Sequence, residues 1–267
     1  MNYIEITDFE DPQLDPYARQ TENQLLNRAE PSQALFIAES PLVIERALQA
    51  GCQPVSFLTE RRLLHGKAAQ LLEGQPDIPV YAADDAVLTQ LTGFHLTRGM
   101  LCAMRRPTLP SVESVCAGAH RIAVLENVMN PTNIGAIFRS AAALGMDAVV
   151  LTGACADLYG PKTVRATMGA LFRQPVLTCA TDELMQLLHA NGLKLYGAAL
   201  TDTAQDLRRV PLTPAAVAIG SEGRGLSAQL LAQCDGQIII PMQPGAESLN
   251  AAVAAAVVMW EIARTET

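Results

Sequence analysis

Short apolar runs alternate with segments whose apolar positions recur every three or four residues. In the first part of the chain LFIAE (35–39), PVSFL (54–58), IPVY (78–81) and GMLCAM (99–104) read as strands. PLVIERALQAG, RRLLHGKAAQLLEG and DDAVLTQLTG between them read as helices, with Gly51 as a stop signal for the first. Strands alternating with helices of this length imply βαβ units. Residues 1–32 are polar and acidic, with helical potential around 16–28.

RRPTLPSVES (105–114) has two prolines and weak periodicity, so it reads as a linker. It separates an expected domain at 1–108 from a second at 118–267. In the second, IAVLE (122–126), AVVLT (148–152), PVLT (175–178), KLYGAAL (194–200), AVAIG (216–220) and QIIIP (237–241) are nearly continuous apolar runs. That is the signature of a parallel sheet covered on both faces. Helices are expected at about 133–145, 161–172, 182–191, 226–233 and 248–264. Ligands of such sheets bind beyond the carboxyl ends of the strands, so the loops after Glu126, Thr152, Ala198, Gly220 and Pro241 are where chemistry is expected.

Composition narrows this α/β reading. The chain has 267 residues, 49% hydrophobic and 17% charged, which suits a folded protein with a real core. The opening MNYIEITDFEDPQ lacks a signal-peptide layout, and the apolar run Leu249–Trp260 is too short to span a bilayer. A soluble cytoplasmic protein without a membrane partner is expected. The six cysteines contain no C-x-x-C pair and the four histidines are scattered, so no metal site is expected; most cysteines sit in apolar contexts that suit buried thiols. A net charge of −8 argues against a nonspecific nucleic-acid coat and leaves room for a local basic site.

Three loops carry information. In ENVMNPTNIGAIFRSAAALG, Thr132 or Asn133 can cap a helix, and Ile134, Ile137, Phe138, Ala141 and Gly145 share its apolar face. Arg139 points away from that face, beside Gly135, Ala142 and Ala143. It is either a surface arginine or one placed against a close-packed ligand or subunit. AIGSEGRGLS (218–227) brings Gly220, Gly223 and Gly225 between a strand and a helix that Ser227 could cap. It matches neither a Walker loop nor G-x-G-x-x-G, and reads as a tight turn or a ligand loop. IIIPMQPGAESLNAAVAAAVVMWEIAR ends a strand and opens an alanine-rich helix that is buried or faces a partner; Ser248 and Asn250 are capping candidates.

Taken in order, N-P-x-N-x-G-A-I-x-R-[ST]-A, I-G-S-E-G-x-G-L and I-P-M…S-L-N resemble the three motifs of the SpoU (TrmH-type) RNA ribose 2′-O-methyltransferases of the SPOUT superfamily. The resemblance covers about 120–264, including the intervening ADLYGPKTVRATMGALFRQPV. The first part is similar, more loosely, to the L30e-like substrate-binding domain that often precedes this catalytic domain.

The resemblance implies a parallel sheet with a C-terminal trefoil knot, whose loops hold S-adenosylmethionine at Gly220, Ile240 and Leu249, with Met242 and Glu222 nearby. It implies a homodimer and catalysis by Arg139, supported by Asn133, Glu222, Ser248 and Asn250. The family's arginine is described as a general base, yet a guanidinium stays protonated at ordinary pH. Stabilising the 2′-oxyanion is the alternative. Lys162, Arg165, Arg173 and Arg224 are candidate phosphate contacts; the first three also suit a solvated helix face. RNA is the expected partner, ribosomal rather than transfer RNA by its two-domain layout. A tRNA methyltransferase, a non-catalytic RNA-binding relative and an unrelated nucleotide-binding enzyme are the competing readings.

Overall fold

The computed structural model describes residues 3–65, 67–245 and 248–264. The chain divides into two compact units, Met1–Thr108 with Tyr159–Phe172 and Leu109–Leu158 with Arg173–Thr267. Its helices are α1 (Asp15–Ala18), α2 (Glu22–Leu26), α3 (Pro41–Gln49), α4 (Lys67–Glu73), α5 (Asp85–Thr92), α6 (Val112–Cys116), α7 (Pro131–Ala143), α8 (Pro161–Thr167), α9 (Thr181–Ala190), α10 (Ala228–Gln233) and α11 (Ala251–Arg264). No helix among the described residues is long and apolar enough to cross a membrane.

The sheet of the first unit comprises β1 (Ile4–Glu5), β2 (Leu35–Glu39), β3 (Pro54–Glu60), β4 (Val80–Ala83) and β5 (Met100–Arg105), in the order β1-β4-β3-β5-β2. It is mixed: β5 runs antiparallel to both β3 and β2, so the expected chain of βαβ units fails at this edge. The helix expected over RRLLHGKAAQLLEG is split into a 3-10 turn at Arg61–Leu64 and α4, with Gly66 outside the described residues. The Tyr17 hydroxyl lies buried under this sheet. It donates to the Ser56 carbonyl (2.7 Å), shares a hydrogen bond with the Ser56 hydroxyl (2.8 Å) and accepts the Ala103 amide (3.1 Å). Burial pushes its phenol well above the ordinary tyrosine range.

Residues 159–172 pack with this first unit, whereas the sequence reading placed them in the second. Aromatic contacts are the physical reason: the Phe36 ring of β2 meets Tyr159 at 5.3 Å and Phe172 at 5.6 Å between centroids. Arg106 lies over the Tyr159 ring, and Arg46 donates to the Met168 carbonyl. The helix expected over 161–172 stops at Thr167, because Met168 and Gly169 both take positive φ. A 3-10 turn at Ala170–Phe172 follows.

The sheet of the second unit comprises β6 (Arg121–Glu126), β7 (Ala148–Thr152), β8 (Val176–Thr178), β9 (Lys194–Ala198), β10 (Gln205–Asp206), β11 (Ala215–Ile219) and β12 (Gly236–Ile239). The order is β10-β12-β9-β11-β6-β7-β8 and every pairing is parallel. β7 and β11 are buried along their whole length, as continuous apolar runs require. Ile122, Val124, Val150, Leu195, Ala216 and Ala218 bury one face against Leu184 and Leu188 of α9 and Leu230 of α10. α11 packs on α7 and β11. Two-residue β1 and β10 had no sequence signal, being too short for an alternation to show.

Candidate functional site

The loops at the carboxyl ends of β9, β11 and β12 enclose a cavity of about 400 Å3 together with the start of α11. Ala198–Thr201 form one wall, residues 219–226 a second, and Leu231 and 238–240 with Met242, Ser248, Leu249, Ala251 and Ala254 the rest. The expected cofactor residues Gly220, Glu222, Ile240, Met242 and Leu249 all line it, as do Ser248 and Arg224. The loops after Glu126 and Thr152 do not. The sequence carries a strand signal to Leu200, whereas β9 ends at Ala198, and the residues of 198–201 form no motif that would single them out.

The loop after β11 is folded back on itself. Ser221 and Gly225 exchange backbone hydrogen bonds, Ser221 donating at 3.2 Å and Gly225 at 2.9 Å. A Cβ at residue 220 would collide with the Gly225 and Leu226 backbone, so only glycine fits there. The turn reading and the ligand-loop reading are thus compatible, because the tight fold is what shapes the cavity wall. The Ser227 hydroxyl accepts the Leu230 amide (3.1 Å), capping α10 as its sequence position suggests.

α7 begins two residues earlier than expected. Asn130, not Thr132 or Asn133, is its cap: the Asn130 side chain accepts the amides of Thr132 (2.9 Å) and Asn133 (3.4 Å), with Pro131 at the first helical position. The helix ends at Ala143, so Gly145 lies beyond it, exposed and with positive φ, rather than on the apolar face. Relieved of capping, Asn133 points inward at 6% exposure. Its Oδ1 accepts Asn250 Nδ2 (3.2 Å), and its own Nδ2 is buried without a partner among the described residues. Asn250 in turn caps α11, accepting the Ala252 (3.0 Å) and Val253 (3.3 Å) amides. The two asparagines therefore tie α7 to the segment that carries Ser248 and Leu249.

Arg139 is exposed and does not line the cavity of its own chain. Ala142 and Ala143 beside it are exposed, while Gly135 is buried. α11 presents Val253, Val257 and Trp260 to solvent, the last 61% exposed. Lys162 and Arg165 lie on α8 and Arg173 beyond its end, so they do not form the single helical cluster expected. Arg165 pairs with Glu39 at 3.5 Å. No group of three or more potential metal ligands occurs among the described residues. Cys52, Cys102, Cys155 and Cys234 are free thiols; the side chain of Cys116 lies outside the described residues.

Residues 120–260 match the SpoU rRNA Methylase family. The chain is 37% identical to an uncharacterized tRNA/rRNA methyltransferase of Mycobacterium bovis, over 98% of this chain and 92% of that protein. It is 36% identical to the 23S rRNA (guanosine(2553)-2′-O)-methyltransferase RlmP of Bacillus subtilis, over 56% of this chain and 60% of RlmP. The crystal structure of the SpoU methyltransferase AviRb from Streptomyces viridochromogenes, in complex with AdoMet, superposes with a TM-score of 0.80 at 25% identity, covering 96% of this chain and 99% of that one.

Proposed function

The chain belongs to the SpoU rRNA Methylase family, and on that premise we propose that it is an RNA methyltransferase acting on a ribose 2′-hydroxyl of ribosomal RNA, with S-adenosylmethionine as methyl donor. One observation carries the reading: the loops after three strands of one sheet, two of them bearing family motifs, converge on one cavity. The AdoMet complex of AviRb and the ribosomal substrate in the name of RlmP support it.

The cavity suits that cofactor chemically. Ile219, Leu226, Ile238, Leu249 and Ala254 offer apolar walls for an adenosyl group, and Glu222 offers a carboxylate to a cationic one. The cradle at Gly220 is closed to any side chain. Bound there, S-adenosylmethionine supplies an electrophilic methyl group on a sulfonium.

Arg139 holds the charge that develops on the 2′-oxygen and on an adjacent phosphate, since its guanidinium keeps its proton. The proton leaves to Glu222, to a substrate phosphate or to water. Asn133 and Asn250 fix the start of α11 and hence Ser248 and Leu249. Because Arg139 does not line its own cavity, we place it in the site of a second copy, in a homodimer that also covers Val253, Val257 and Trp260 of α11. The insertion of β12 between β9 and β10 suits a knotted C-terminal part. The first unit is assigned the role of an RNA-binding domain; Lys162 and Arg165 in it, and Arg173 and Arg224 in the second unit, are assigned to phosphates; such an enzyme works in the cytoplasm.

Mapping ribose 2′-O-methylation in RNA from cells with and without the protein tests this. Loss of one methyl from ribosomal RNA is the expected result. Loss from transfer RNA alone would overturn the substrate, and an unchanged map would overturn the activity.

A further inference from the structure

Glu126, the last residue of β6, is only 4% exposed, yet it belongs to none of the three motif roles above. Its carboxylate is spent on one residue. Oε2 accepts the Ser227 amide at 2.6 Å and Oε1 accepts the Ser227 hydroxyl at 2.6 Å. The Ser227 hydroxyl also accepts the Leu230 amide. Ser227 directly follows the 219–226 segment that walls the cavity. The other end of that segment is held by strand pairing, since Leu125 sits opposite Ile219 in the β6–β11 register. Consecutive residues of β6, Leu125 and Glu126, therefore hold the two ends of the glycine loop.

A buried carboxylate is costly unless its hydrogen bonds are made, and charge-assisted bonds of this length are the strong kind. The span between these anchors closes on itself through Ser221 and Gly225, and its glycines leave the placement of that turn to its flanks. Its shape depends on where its ends are held.

We propose that Glu126 is a positioning residue that sets the geometry of the cofactor loop through Ser227, so that it governs affinity for S-adenosylmethionine without touching the reacting atoms. This rests on the cofactor reading above. Glu126→Gln keeps the shape but replaces one acceptor oxygen by a donor. Ser227→Ala removes the hydroxyl's bond to Glu126 together with its cap on the Leu230 amide and keeps the Ser227 amide bond, whereas Ser227→Thr retains all three.

Titration calorimetry with S-adenosylmethionine, alongside kcat and KM on RNA and thermal unfolding, tests it. A roughly tenfold rise in cofactor Kd and KM for Glu126→Gln is expected, with a smaller rise for Ser227→Ala and near-normal affinity for Ser227→Thr. The kcat at saturating cofactor should stay within about twofold. If Glu126→Gln and Ser227→Ala lower only the melting temperature and bind the cofactor normally, Glu126 is merely structural and the inference fails. If the unsubstituted protein itself does not bind S-adenosylmethionine, the cofactor reading fails first and this one falls with it.

Discussion

Tyr17 in the first unit and Asn133 in the second are both almost wholly buried, but their polar atoms end differently. The Tyr17 hydroxyl is saturated by Ser56 and Ala103, which lie on neighbouring strands of one sheet. Asn133 makes one side-chain bond, to Asn250, and leaves Nδ2 without a partner among the described residues. An unpaired buried donor costs about 1–3 kcal/mol. Closed networks fix a fold. On the proposed function, Tyr17 is a polar group that builds the protein and Asn133 one that serves its chemistry.

Four tests sharpen or break this contrast, taken from the largest expected effect downward. Arg139→Ala should lower turnover by about three orders of magnitude while cofactor affinity stays within about threefold. Normal turnover would remove Arg139 from the mechanism. Gly220→Ala forces a Cβ into the Gly225–Leu226 backbone, and calorimetry should show cofactor affinity down by about a hundredfold. The third test pairs Tyr17→Phe with Asn133→Ala. Tyr17→Phe should cost about 1–3 kcal/mol in denaturant unfolding and leave kcat unchanged. Asn133→Ala should cost less stability but lower kcat by about tenfold. The reverse pattern would break the comparison. Smallest is Lys162→Ala, which should weaken RNA binding a few-fold and reduce the slope of log affinity against log salt by about one. An unchanged slope would place Lys162 away from phosphate.

Much of the second sheet was legible, because a parallel strand buried on both faces must be nearly continuously apolar, and AVVL and IAVL are, ahead of their polar last residues. The cofactor positions were legible only jointly: a glycine turn or an Asn cap is common alone, and three in order are not. The cap of α7 was misplaced because Asn130 precedes a proline that itself starts the helix. The 159–172 segment was assigned to the wrong unit because its attachment depends on Phe36, more than a hundred residues away in sequence. Glu126 went unnoticed for a similar reason. A strand-end glutamate becomes informative only when Ser227 is seen against it.

The most direct test supplies the protein with S-adenosylmethionine labelled in its methyl group and ribosomal RNA lacking its modifications, then hydrolyses the RNA with alkali. A methylated 2′-oxygen blocks cleavage at the next phosphate, so the account predicts the label in an alkali-resistant dinucleotide, and none with Arg139→Ala. Label appearing only in mononucleotides would mean methylation of a base, and would contradict the ribose 2′-hydroxyl as the acceptor.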